Sequence, residues 1–358
     1  MALHPVYGHE ELRARLATSM RAGRLPTALL LAGAAGVGKQ RLGLWIAAGL
    51  LCEQGPGEPC GACHACHLSA TLSHPDLHWF FPILRPKGEE DKQAEEAEEL
   101  LAQATQARRE QPLYPRPDGM AGIFLPLVRV LHRSAQMRPA MGKRKVFVVG
   151  EAERLVPQAS SPEAANALLK VLEEPPPDTY FVLTANEPTS LLPTIRSRLV
   201  QLRVRRLRAS EVTRFLTEVP QPPLAAAEAK RRADLAGGSI GSALAEGGVD
   251  GSANAAGRAL LEAAARGPAV RLRYVLGIKP YGGRGEFTDT LAAAADLLRD
   301  RLAERLRHPG AGRADEPPAT AVLEAIHEIE RARKLARGNV NPQLIVADLT
   351  RRLAERLV

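Results

Sequence analysis

Two stretches near the N-terminus concentrate the side chains that could do chemistry. The first runs from Gly33 through Ala34, Ala35, Gly36, Val37 and Gly38 to Lys39, the first seven positions of G-x-x-x-x-G-K-[ST]. Glycines there let backbone N–H groups turn inward around phosphate oxygens, and the following helix N-terminus adds positive potential. Gly33, Gly36, Gly38, Lys39 and Gln40 are therefore the candidate nucleotide-binding residues, with Lys39 reaching the terminal phosphates. The eighth position normally carries a hydroxyl for Mg²⁺, and Gln40 is a poor replacement. A matching defect lies at 150, where a hydrolytic site wants Asp at a strand end and the chain has Gly150. Glu151 follows as the one candidate general base. Catalysis in this class is largely positioning and charge neutralisation, so losing both metal contacts points to a phosphate loop without turnover. Nucleotide binding without hydrolysis stays open.

The second stretch holds all four cysteines, Cys52, Cys60, Cys63 and Cys66. Four thiolates suffice for a closed tetrahedral zinc site, which leaves no open position for catalysis and so reads as structural. Gly55, Pro56, Gly57 and Pro59 let the chain turn around a metal. Cys60 to His64 and Cys63 to His67 also match C-x-x-C-H, but overlapping copies cannot both hold haem. A redox pair from Cys60 and Cys63 leaves the other two cysteines unexplained. Replacement of one thiolate by His64 or His67 stays open.

Composition narrows the class. The 358 residues carry 48 basic and 40 acidic side chains, a formal charge of +8, which is a mild excess over so long a chain. A hydrophobic content of 45% with 25% charged residues excludes a mainly disordered polymer. Cysteines gathered in one short stretch exclude a disulfide scaffold. No run of about 18 apolar residues suggests a membrane span, and no secretory signal is visible. The expected compartment is the cytoplasm.

The elements that must hold these residues follow from periodicity. An apolar run at 28–32 feeds the glycine-rich turn, and a helix is expected over 40–51. Residues 74–80 read as a loop entering a second strand, and further strands are expected near 146–149, 180–184 and 199–204, with helices over 125–137 and 162–174. The last of these helices stops at Pro175, Pro176 and Pro177. Strands alternating with helices predict a mainly parallel sheet covered on both faces. Residues 87–118 interrupt this pattern as an acidic, alanine-rich run and a proline-rich stretch, which reads as a solvated surface helix and a loose loop. Beyond 206 only helical periodicity remains, over 209–217, 225–235, 253–265, 288–307, 319–335 and from 342. The expected division is an α/β P-loop domain over 1–206 with a zinc module at 52–66, a small helical lid over 207–248, and an all-α domain over 249–358.

A run from Ala164 to Pro176, reading A-A-N-A-L-L-K-V-L-E-E-P-P, joins the phosphate loop and the cysteine module. Together with Thr194-Ile195-Arg196-Ser197-Arg198 and Asn339-Val340-Asn341-Pro342, it resembles the clamp-loader branch of the AAA+ proteins, subunits of bacterial DNA polymerase III. The resemblance spans the chain except 87–118. It implies a five-membered ring that opens a sliding clamp and places it on primed DNA, with a tau/gamma motor subunit and a delta subunit as neighbours. Family members carry a Ser-Arg-Cys motif whose arginine reaches the neighbour's ATP site. Here Ser197, Arg198 and Leu199 stand at those positions, so Arg198 is the implied finger acting in trans and the third position departs. ATPase members also carry a nucleotide-sensing arginine in the second domain, where this chain has Ser242. Losses at Gln40, Gly150 and Ser242 separate the chain from the motor subunit. The C-terminal helices would then form the collar of the ring. The expected function is thus a non-hydrolysing clamp-loader subunit with structural Zn²⁺, a component of the polymerase holoenzyme without independent activity. The alternatives are an active motor or another AAA+ ATPase, which would need Gln40 or a water to serve the metal, and a stand-alone zinc DNA-binding protein. The last lacks an accompanying basic helix.

Overall fold

Strand β1 (Ala28–Ala32) is buried at every position, as a strand covered on both faces must be, and this sets the architecture of the N-terminal part. We describe a computed structural model covering residues 3–87, 89, 92–110, 121–155, 163–220, 222–245, 251–278, 284–307, 317–336 and 340–357. The chain divides into two compact units, Met1–Leu244 and Ala245–Val358.

In the first unit, helix α1 (Glu10–Arg21) leads into β1, followed by α2 (Lys39–Leu51) and α3 (His64–Ala70). Strands β2 (Leu77–Phe80) and β3 (Ile83–Leu84) precede α4 (Gln93–Glu110), β4 (Ala121–Gly122) and α5 (Leu125–Gln136). Then come β5 (Lys145–Val149), α6 (Glu163–Glu173), β6 (Thr179–Ala185), α7 (Pro193–Arg196) and β7 (Val200–Arg203). The main sheet has the order β2-β5-β6-β1-β7 with every pair parallel. The mainly parallel α/β domain expected from the alternating pattern is present. β3 and β4 form a separate antiparallel pair.

The acidic interruption is more firmly held than a solvated helix would be. One face of α4 packs on α5 and β3, with Ala97 and Arg108 buried. The Arg108 guanidinium lies 3.2 Å from the Phe81 ring centre and 4.6 Å from that of Trp79. Acidic residues such as Glu95, Glu98 and Glu99 occupy the exposed face. Residues 111–118 of that expectation lie outside the described residues.

Helices α8 (Ala209–Glu218), α9 (Ala226–Leu235) and α10 (Ile240–Ala245) follow. They build a second hydrophobic cluster around Val212, Phe215 and Leu216, joined by Tyr7 from the N-terminal segment. The Tyr7 hydroxyl donates to Glu218 at 2.7 Å, and its ring meets Phe215 edge-on.

The second unit is helical: α11 (Gly251–Ala265), α12 (Pro268–Gly277), α13 (Arg284–Arg307), α14 (Ala319–Ala336) and α15 (Pro342–Leu357). α13 packs on α11 and α14, and α15 packs on α14 and α11, around Leu260, Leu291, Ile329 and Leu353. Among the described residues, no helix is long and apolar enough to cross a membrane.

Candidate functional site

The phosphate loop occupies the turn between β1 and α2. Gly36 (φ 72°) and Gly38 (φ 89°) take left-handed backbone conformations that β-carbon-bearing residues avoid. Lys39 begins α2 and is only 6% exposed. Its ammonium donates to Gly33 O at 2.9 Å, Ala34 O at 2.6 Å and Asn186 Oδ1 at 2.7 Å. All three protons of the group are thereby committed within the chain. Burial lowers its pKa to about 8, against the pull of the Glu153 and Glu151 carboxylates.

Gln40 and Gly150 are complementary. Gln40 Oε1 accepts from Trp79 Nε1 at 3.1 Å, and its amide fills the space beside Gly150 that a side chain there would need. A side chain at 150 would require the Gln40 amide to shift from its present place. The two departures from the motif thus lie side by side in the structure.

The segment from Gly237 to Ala243 lies directly on the loop. Ser239, buried, donates from Oγ to Ala35 O at 3.0 Å, and Gly241 N donates to Gly36 O at 3.2 Å. A β-carbon on Gly36 would collide with the Ser239 hydroxyl. Ser242, at the sensing position, bonds Ser239 through its backbone N–H and its hydroxyl, each at 3.1 Å. From the other side His9 Nε2 donates to Val37 O at 2.8 Å.

Glu151 has a left-handed backbone (φ 50°) and pairs with Arg154 at 2.9 Å. Of the two carboxylates, Glu153 acts the more strongly on Lys39. Burial raises its pKa, although Oε1 accepts from Asn186 N at 2.9 Å, and Oε2 has no hydrogen-bond partner. Sequence reasoning missed Asn186, Glu153, Trp79 and Ser239. A polar residue directly after the apolar β6 run was the available signal for Asn186.

The cysteines converge from four local settings. Cys52 caps the end of α2, Cys60 lies on the glycine-rich turn, Cys63 precedes α3, and Cys66 sits in its first turn. Their sulfurs all lie within 4.8 Å of one another, with Cys52–Cys63 at 4.0 Å and Cys60–Cys66 at 3.8 Å. A tetrahedral metal with bonds of about 2.3 Å puts its sulfurs about 3.8 Å apart, so the set could hold a metal of that kind. Backbone N–H groups of Ala62 and Cys63 draw the Cys60 thiol down to about 6, whereas burial pushes Cys52 and Cys66 up. Neither His64 nor His67 belongs to the group. Arg13 ties the module to α1, pairing with Glu58 at 2.8 Å and lying 5.2 Å over the Trp45 ring centre.

Arg198 stands well apart from these in character, on the surface just after α7. Its Nη2 pairs with Glu173 Oε1 at 2.5 Å, and its Nη1 donates to Thr194 O at 2.8 Å and Ser197 Oγ at 3.4 Å.

A family model described as DNA polymerase III, delta subunit matches residues 8–208, more than half of the chain. The chain belongs to this family. Among curated relatives, the delta′ subunit of Pseudomonas aeruginosa is 38% identical over 175 residues, 49% of this chain and 42% of that protein. The delta′ subunit of Haemophilus influenzae is 35% identical over 171 residues, 48% and 40% of the two chains. The chain thus spans about two fifths of the length of these relatives. The tau subunit of Escherichia coli is 29% identical over 215 residues, 60% of this chain and 27% of that protein. A gamma-subunit-related protein of Thermotoga maritima aligns over 95% of this chain and 99% of its own with 14% identity and a TM-score of 0.42.

Proposed function

We propose that this protein is a delta′-type subunit of a bacterial DNA polymerase III clamp loader, acting in the cytoplasm without hydrolysing ATP itself. The observation that carries this reading is the filled phosphate loop. Lys39 is saturated by Gly33, Ala34 and Asn186, Gln40 occupies the room beside Gly150, and Ser239 and Gly241 lie on Gly36. A nucleotide would have to draw Lys39 away from these three acceptors, and no side chain at 40 or 150 is suited to its metal.

In this reading the four cysteines hold a structural Zn²⁺, which contributes to folding and to no chemical step. The working group is Arg198, supplied to the ATP site of a neighbouring motor subunit, where its charge stabilises the transferring phosphoryl group. Its exposed position after α7 supports that role. The partners are tau/gamma and delta subunits in a hetero-pentamer, which acts on a sliding clamp and primed DNA. Three hydrophobic clusters support a P-loop domain over 1–206, a lid over 207–248 and a collar over 249–358.

In a reconstituted loader, Arg198→Ala should slow hydrolysis at the site it serves by about 10³-fold or more while the complex still assembles. An unchanged rate rejects the finger. The similarity to tau favours an active motor as the second reading. Steady ATP hydrolysis by the isolated chain, lost in Lys39→Ala, would establish that alternative.

A further inference from the structure

The run at 164–176 and the segment at 194–198 meet at one ion pair. Glu173, from the Leu172-Glu173-Glu174-Pro175-Pro176 run, ends α6, and its carboxylate lies 2.5 Å from Nη2 of Arg198. A carboxylate in the last turn of a helix faces the negative end of the helix dipole and is disfavoured there unless a cation compensates it. Arg198 is that cation. Its other terminal nitrogen is engaged as well, by Thr194 O at 2.8 Å and Ser197 Oγ at 3.4 Å.

These contacts have a consequence for phosphate recognition. A guanidinium grips a phosphoryl group through a pair of parallel N–H bonds and an uncompensated positive charge. In the free subunit Nη1 and Nη2 both bond within the chain, and the charge is neutralised by Glu173. We infer that Glu173 is a positioning residue that holds Arg198 in a withdrawn state, so that engaging a neighbour's nucleotide requires exchange of carboxylate for phosphate. This inference rests on the reading of Arg198 as a finger. Both side chains are open to solvent, 37% exposed for Arg198 and 44% for Glu173. An ion pair so exposed is weak, so Glu173 sets a threshold for engagement and does not block it.

The test is steady-state ATP hydrolysis by the subunit reconstituted with its motor and delta subunits, with and without clamp and primed DNA. Glu173→Gln keeps the size and polarity of the side chain and removes the charge. It should raise the rate without clamp and DNA about two- to fivefold, the range to which an exposed ion pair converts. Stimulation by clamp and DNA should shrink by the same factor. Glu173→Asp should return the unstimulated rate toward the wild-type value, which loss of packing alone would not produce. Glu173→Gln combined with Arg198→Ala should match Arg198→Ala. An unstimulated rate in Glu173→Gln at or below wild type overturns the latch, provided Arg198→Ala is slow. If Arg198→Ala hydrolyses ATP at the wild-type rate, the finger reading fails, and the latch fails with it.

Discussion

Asp76 shows how much a single buried group can organise. It is fully buried, and its carboxylate accepts from the backbone N–H groups of Ala140, Met141 and Gly142 at 2.6, 2.8 and 3.0 Å. Burial alone would raise its pKa, but these three donors hold it below the usual carboxylate value. Charge-assisted bonds of this kind contribute more than neutral ones, so Asp76→Ala should lower stability by about 3 kcal/mol in urea titrations. At the phosphate loop the same reasoning runs through volume. Gln40→Thr restores a hydroxyl, but Gly150 still offers no carboxylate. Calorimetric titration of this variant with an ATP analogue should therefore show no Mg²⁺-dependent binding. Magnesium-dependent binding by the single variant would contradict the coupling of positions 40 and 150.

At the scale of elements, the cysteine module and α4 are the informative cases. Cys66 is buried and belongs to the four-sulfur group, so purified protein should carry one equivalent of zinc that Cys66→Ser loses. A thermal midpoint at least about 5 °C lower should accompany the loss, as measured by metal analysis and calorimetry. For α4, Arg108→Ala removes a buried cation from two aromatic faces and should lower stability by about 2 kcal/mol. Hydrogen exchange should then quicken over residues 93–110. The long strands were legible because uniformly apolar runs of four to seven residues have few alternatives. α6 was legible because prolines follow it. By contrast, α1 buries Leu16, Ala17 and Met20 with Leu12 partly covered, and its clearest signal is Glu10 and Glu11 at the start with Arg21 at the end. α3 was hidden inside the cysteine spacing, and α12 buries little beyond Val275. The contacts that fill the phosphate loop were out of reach, since Trp79 to Gln40 and Ser239 to Ala35 join residues far apart in the chain.

For the molecule as a whole, two histidines should make the first unit acid-sensitive. Burial first, and then the charge of Lys145, lower His78 to about 4; burial and Arg41 do the same for His4. His78 is stacked on Phe147 with ring centres 4.7 Å apart. Unfolded, each histidine titrates near 6.5, so the unfolded chain binds more protons between pH 6.5 and 4. Stability is therefore full above about pH 7 and falls as the pH drops through that window, by about 2 kcal/mol per histidine between pH 7 and 5. Denaturant midpoints measured across this range should show the decline, and His78→Leu should flatten it. A slope unchanged by His78→Leu would assign the acid sensitivity to other groups.

The position of β1 in the sheet also governs how the chain comes off the ribosome. β1 lies between β6 and β7, and its first residue, Ala28, pairs with Phe181, about 150 residues later. At 5–20 residues per second, synthesis of that interval takes roughly 8–30 s. Throughout that time the apolar run Ala28–Ala32 has neither of its sheet neighbours, although α2 and the cysteine module beside it are already made. A strand buried at every position in the native unit is thus among the longest-waiting segments of the nascent one, and binding by a chaperone that favours apolar segments should centre on it.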